Sequence, residues 1–325
     1  MPDKSRATHK RTRRKLYKLK AVLVLVFLLL SVFIADRVFP PPLENALSSS
    51  VLVTDRSGVP LRAFPTDEGR WRLPADMEKI DPAFIDALIE IEDKRFRHHW
   101  AVDGLAVMRA IRSAIQRGRV VSGASTITMQ TARMLEPRPR TLPSKAIEML
   151  RALQLEARLS KDEILELYLT LTPYGGNLEG IRAASWAYFG REPDRLSDDQ
   201  IALLIALPQS PEVRRPDLRP ESALASRKVI LERLVTTGHL SATRGADAAE
   251  MPLPGRYAFP ACGWHAADTA RSAVLSIHPK RGQVAPDIDV RTTLDAGLQA
   301  SLEKLAFDHA ANLDERVQIA ILVAE

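Results

Sequence analysis

Residues 81–99 read DPAFIDALIEIEDKRFRHH, and this stretch decides how the chain around it is read. Asp81 has the chemistry of an N-cap, and Pro82 suits the first helical position, where its missing N–H leaves nothing unsatisfied. Phe84, Ile85, Leu88 and Ile91 then recur on one face at helical spacing. The pattern predicts an amphipathic helix that ends near Glu92, with a dense polar cluster from Glu92 to His99 behind it. Charge runs at helix ends are usually solvated, and adjacent histidines lack the i, i+4 spacing with which two imidazoles share a metal, so no metal site is expected here. Glu92 stands apart, because a carboxylate at the rim of an apolar surface can act as a general base.

Downstream the helical period continues. A helix over 104–117 would bury a stripe of Leu105, Met108, Ile111 and Ile115 and stop at Gly118. The Gly123-Ala124-Ser125 turn comes next, then helices over about 125–135, 144–159, 161–170 and 198–207, the last two opened by Ser160-x-x-Glu163 and Ser197-x-x-Gln200 capping boxes. Residues 80–240 thus read as almost wholly α-helical. Residues 241–285 show no clear period and read as a connector. Beyond them a strand is expected over 287–293, an amphipathic helix over 298–311 and a strand over 318–324.

Upstream, 51–54 and 59–64 read as a hairpin around Ser57-Gly58, and Pro40 to Pro42 as a stiff spacer. Residues 21–35, AVLVLVFLLLSVFIA, carry Ser31 as their one polar side chain and come after a Lys/Arg-rich tail. Flanking Lys20 and Arg37 can snorkel, and with residues to 39 the segment is long enough to span. It is not succeeded by a small-x-small cleavage site, so the segment reads as an uncleaved single-pass anchor, N-terminus in the cytoplasm and the rest exported.

Composition agrees with that topology. Of the 325 residues 46% are hydrophobic and 26% charged, which fits neither a disordered chain nor a multi-span protein. The net charge is +6, but the first twenty residues hold nine Lys/Arg against one Asp, so the rest is slightly acidic. A nucleic-acid-binding domain would need its basic face on the folded part. The single Cys262 excludes an intrachain disulfide and a thiolate zinc site.

Further residues suit chemistry. Lys145 and Glu148 share a helix face and could set a cation and an acid in one groove, or form an ordinary ion pair. The stretch from Gly123 to Gln130, GASTITMQ, offers hydroxyls and backbone N–H groups at a turn into a helix, which suits phosphate oxygens as well as a simple N-cap.

Taken together, ordered blocks resemble the family 51 peptidoglycan glycosyltransferases, the polymerase half of class A penicillin-binding proteins, over about residues 50–240. ED-x-x-F-x-x-H-x-G appears as Glu92-Asp93-x-x-Phe96-x-x-His99-x-Ala101, with Ala for Gly. G-x-S-T-I-T-Q-Q appears as GASTITMQ, RK-x-x-E as Ser144-Lys145-x-x-Glu148, and K-x-E-I-L-E-x-Y-L-N as KDEILELYLT from Lys161 to Thr170. PYGGNLEGIRAASWAYFG from Pro173 and ALLIALPQSP from Ala202 continue the likeness. The Met129-Gln130 variant and Arg151 to Glu156 are most similar to the 1C group of that family.

The resemblance implies a mainly α, lysozyme-like domain on the outer face of the membrane that polymerises lipid II. With the segments read from the residues, the chain is expected to run as a basic tail (1–20), an anchor (21–39), a membrane-proximal linker and hairpin (40–75), then the glycosyltransferase domain that the resemblance implies (76–240), a connector (241–285) and, by resemblance again, the incomplete α/β start of a transpeptidase-like domain (286–325). Glu92 would be the general base on the acceptor N-acetylglucosamine 4-hydroxyl, with inversion at the donor carbon and loss of undecaprenyl diphosphate. Glu148 would be the second catalytic carboxylate. Lys145 and Arg133, the latter in place of a Lys, would receive the diphosphate. Asp93, Phe96, His99, Ser125, Thr126 and Gln130 would contribute to substrate binding. Ser144 for Arg and Thr170 for Asn bear on efficiency. No cofactor is certain, though a diphosphate leaving group is compatible with a divalent cation such as Mg2+. Lipid II, the growing strand, the inner membrane and other cell-wall synthesis proteins are the implied partners, and nucleic acid is not. Ser301-x-x-Lys304 has the form of a penicillin-binding nucleophile but lacks S-x-N and K-[TS]-G companions after it. Two other readings stay open: a lysozyme-like glycan hydrolase and a catalytically poor membrane-anchored scaffold.

Overall fold

The computed structural model describes residues 30, 34, 36–117, 125–277, 289–310, 321 and 323. The chain divides into two units after Pro41, and the helices and strands of the fold belong to the one from Pro42 onward. The expected anchor lies, but for a few positions, outside the described residues, as does the strand expected over 318–324. Among the described residues no helix is long and apolar enough to cross a membrane.

Eleven helices are described: α1 Pro82–Asp93, α2 Gly104–Arg117, α3 Ile127–Leu135, α4 Leu142–Glu156, α5 Lys161–Leu171, α6 Ile181–Phe189, α7 Asp198–Ala206, α8 Pro220–Thr236, α9 Ala242–Glu250, α10 Trp264–Ile277 and α11 Ala296–Ala310. Six short strands accompany them: β1 Val51–Thr54, β2 Pro60–Phe64, β3 Trp71–Arg72, β4 Pro173–Gly175, β5 Leu178–Glu179 and β6 Asp289–Arg291.

The capping chemistry explains why α1 starts where it does. Asp81 Oδ1 accepts from Ala83 N at 2.9 Å, while Oδ2 accepts from Leu196 N at 2.8 Å, so one carboxylate starts α1 and pins the loop before α7 to it. Phe84, Leu88 and Ile91 then enter the core with Ile164 and Leu165 of α5, Leu203 of α7 and Ile230 of α8. Burying each large side chain stabilises the fold by about 2 kcal/mol. The α5 capping box is closed both ways, Ser160 N donating to Glu163 at 2.7 Å and Glu163 N to Ser160 Oγ at 3.3 Å. Ser197 N likewise donates to Gln200 at 3.2 Å at the start of α7.

Several expectations are corrected. α2 spans the expected residues, but its stripe is not buried: Leu105 is 61% and Met108 69% exposed, and the helix enters the core through Ala106 instead. Periodicity identifies an apolar face without saying what covers it. The Ile111 and Ile115 side chains lie outside those described.

The mostly helical region is interrupted by β4 and β5, which pair with β3 in the order β3-β5-β4. Gly180 makes the turn out of this small sheet possible: its φ is +85°, and a Cβ there would meet Thr170 O at 2.7 Å. The stretch read as a connector holds α9 and α10. The hairpin β1–β2 forms as expected, with Val51 opposite Phe64, and β6 adds to β1 in parallel, Val53 beside Val290. No residue of α11 is buried, and Leu305 and Phe307 are exposed.

Candidate active site

Glu92 sits in the last turn of α1, half-buried, with a donor on each oxygen. Gln130 of α3 donates its Nε2 to Oε2 at 3.0 Å, and Gln209, at the end of the short 3-10 turn after α7, donates its Nε2 to Oε1 at 3.1 Å. Each carboxylate oxygen keeps a second lone pair for a proton. Tyr168 of α5 lies nearby; burial pushes its phenol well above the usual range and the Glu92 charge adds to this, so it stays neutral. Glu92 opens onto a cleft of about 910 Å³ that extends past Asp93, Asp103, Met108 and Arg233 to Ser125.

Asp93, Phe96 and His99 form the layer behind Glu92. The Asp93 carboxylate accepts from Ile127 N, the first residue of α3, at 3.0 Å and faces His99 Nε2 at 2.9 Å. An ionised carboxylate only accepts, so that imidazole nitrogen carries the proton. Phe96 is fully buried beneath Lys161, whose Nζ stands 4.5 Å from the ring centroid, and presents no surface to a ligand. Together the three fix the end of α1 against the start of α3, and so set Glu92 opposite Gln130.

The second cluster meets the same cleft at Ser125 and Thr126. Lys145 of α4 donates to Ser125 Oγ at 2.7 Å and to Glu148 Oε2 at 2.9 Å, with Glu148 buried. Thr126 is buried and its hydroxyl is used twice, donating to Ala101 O at 2.6 Å and capping α3 through Met129 N at 3.1 Å. Arg133 comes three residues after Gln130 on α3, half-buried, and forms no ion pair among the described residues.

The positions that depart from the family pattern have their own partners. Ala101, where the family has Gly, is fully buried at φ +54°, a left-handed conformation that L-residues seldom adopt. Ser144 bonds the Thr141 hydroxyl at 2.9 Å. Thr170 Oγ1 accepts from Ala75 N at 2.9 Å and donates to Glu166 O at 2.8 Å. Among the described residues no three His, Cys, Asp or Glu side chains converge as a protein-held metal requires.

Gln209 is a site residue that the sequence does not single out, although the ALLIALPQSP block around it stands out. It lies 117 residues from Glu92, and neither its type nor its spacing marks it. Tyr168 is the Tyr of the KDEILELYLT block, but nothing in that block sets it beside Glu92.

Residues 57–235 match the family model described as Transglycosylase, which is more than half of the chain. The chain belongs to the transglycosylase family. All the site residues from Glu92 to Gln209 fall within the matched span, while α9, α10, α11 and β6 lie beyond it. Among similar proteins, Penicillin-binding protein 1C of Escherichia coli (strain K12) is 40% identical over 299 residues, covering 92% of this chain and 37% of that protein. Penicillin-binding protein 1A of Aquifex aeolicus (strain VF5) is 31% identical over 302 residues, covering 88% and 40%. Penicillin-binding protein 1A of Escherichia coli (strain K12) is 31% identical over 249 residues, covering 75% and 29%. This transglycosylase therefore spans about two fifths or less of the length of the relatives it matches.

Proposed function

We propose that the chain is a peptidoglycan glycosyltransferase that extends glycan strands from lipid II. The observation that carries this reading is a Glu92 carboxylate held by two neutral amide donors on a cleft that is also lined by Ser125, which bonds Lys145. Glu92 takes the proton of the acceptor N-acetylglucosamine 4-hydroxyl as that oxygen bonds to the donor anomeric carbon. The carbon–oxygen bond to undecaprenyl diphosphate breaks on the opposite face, the leaving group keeps the electron pair, and configuration inverts. Lys145 and Arg133 receive the growing negative charge. Glu148 holds the ammonium in place, and with its own oxygen engaged by Lys145 at 2.9 Å it is poorly suited to the free acid a glycan hydrolase would need. The reading includes a single-pass anchor over 21–39 in the inner membrane, N-terminus in the cytoplasm, and a catalytic domain in the periplasm, where other cell-wall synthesis proteins are accessible as partners.

The test is to incubate the detergent-solubilised protein with labelled lipid II and resolve product length, with preformed glycan in parallel. Long strands from the parent chain and a turnover loss of about 10³-fold in Glu92→Gln, with lipid II binding retained, are expected. Shortened glycan would make the protein a hydrolase, and two unchanged substrates would make it a scaffold.

A further inference from the structure

The amide of Gln209 could face Glu92 with either its oxygen or its nitrogen, and the two choices have opposite consequences for a carboxylate. Arg214 decides between them. Its Nη1 lies 2.9 Å from Gln209 Oε1, and a guanidinium has donors only, so the amide oxygen must face Arg214 and the amide nitrogen must face Glu92. The second hydrogen of the same Nη1 goes to Ala206 O at 2.7 Å, the last residue of α7. Arg214 is thereby tied to the end of a core helix, and the short turn Leu207–Gln209 that carries the amide is closed between the two.

We infer that Arg214 is a positioning residue for Glu92, acting through Gln209, which it orients as a hydrogen-bond donor to the carboxylate. Without the guanidinium the amide is free to turn, and its carbonyl would then oppose a carboxylate oxygen, acceptor against acceptor. Gln130 still holds the other oxygen, so the loss is one of orientation and not of the base itself. Arg214 hydrogen-bonds Gln209 and Ala206 and is not among the residues lining the cleft, so its effect should appear in turnover and not in substrate affinity. The inference rests on the reading of Glu92 as the general base.

Steady-state kinetics on lipid II with the full chain test it, using Gln209→Leu, Arg214→Met, their double variant and Arg214→Lys, each with a melting temperature. Arg214→Met is expected to lower kcat about tenfold with KM changed less than about twofold. Arg214→Lys, which retains a cationic donor, recovers at least about a third of the lost rate. The double variant falls within about twofold of the slower single variant, because the two residues act on one oxygen along one path. Losses that multiply to about 100-fold, a kcat unchanged in Arg214→Met, or a loss that Arg214→Lys does not restore and that tracks the melting temperature would each overturn the inference. If Arg214→Met does not fold, Arg214→Ala takes its place in the same cycle with Gln209→Leu. Glu92→Gln in the same assay separates the two levels: full turnover there removes the base assignment and the relay with it, whereas an inactive Glu92→Gln beside multiplying losses removes only the relay.

Discussion

Ala101 shows how a single position can carry the family's Gly role without Gly. Its left-handed backbone costs about 1–2 kcal/mol, but its methyl is buried against Met129 and Ala152, worth about 0.8 kcal/mol, and Ala loses less backbone entropy on folding than Gly. These terms nearly cancel, so Ala101→Gly is expected to shift the melting temperature by no more than a few degrees. Ala101→Val adds a branched side chain at positive φ in a closed site and should cost about 3 kcal/mol or more, measurable by denaturant unfolding. Asp103, nearby, supplies a pH signature. Burial pushes its carboxyl up, but hydrogen bonds from Ala106 N and Arg95 outweigh this and hold it below its usual 3.8. A depressed carboxyl contributes stability that is complete above the unfolded value and is lost as pH falls through the folded one. Asp103→Asn should therefore cost about 1 kcal/mol at pH 7, and the gap from the parent chain should narrow in thermal melts as pH falls below the usual carboxyl value of 3.8.

The helices draw on local chemistry to different degrees. α5 begins with a closed capping box, and Ser160→Ala should destabilise the fold by about 1 kcal/mol, read as a drop of a few degrees in melting temperature. Its start was legible to the residue because Ser160 and Glu163 satisfy each other across three positions with no outside partner. α2 is the contrasting element: its extent was legible from the apolar period and the Gly after it, yet Leu105 and Met108 face the cleft side and not the core. α9 and α10 were not legible because their inward faces are built mainly of small residues, Gly245 and Ala248 in α9 and Ala267, Ala270 and Val274 in α10, and α9 is held through close packing on α8 at Gly245, where a Cβ would meet Val235 at 2.6 Å.

Across the molecule, one buried guanidinium joins segments far apart in sequence. Arg182 of α6 is fully buried and pairs with Glu192 at 2.8 Å and Asp289 of β6 at 3.2 Å, while donating to Pro74 O at 3.0 Å. Lys79 reaches the same Asp289 oxygen at 3.0 Å. Arg182→Leu takes the guanidinium from two partly buried carboxylates, leaving Lys79 on Asp289 and Trp186 on Glu192 as their remaining donors, and should cost about 3 kcal/mol in chemical unfolding. Asp289→Asn keeps the Glu192 pair and should cost about 1 kcal/mol or less.

The onset of α1 at Asp81, the two capping boxes, the β1–β2 hairpin and the proximity of Lys145 to Glu148 came from the amino-acid order, because each is settled by residues within a turn or two of one another. The family motifs marked Glu92 and Gln130 as members of one site, though not as bonded partners. Folding alone brought Gln209 onto Glu92, set β6 beside β1, gathered β3, β4 and β5 into a sheet, and turned Phe96 inward while leaving Leu105 exposed. Those outcomes depend on which distant surfaces compete for burial and hydrogen bonds, and a contact across more than a hundred residues leaves no period or spacing along the chain from which to read it.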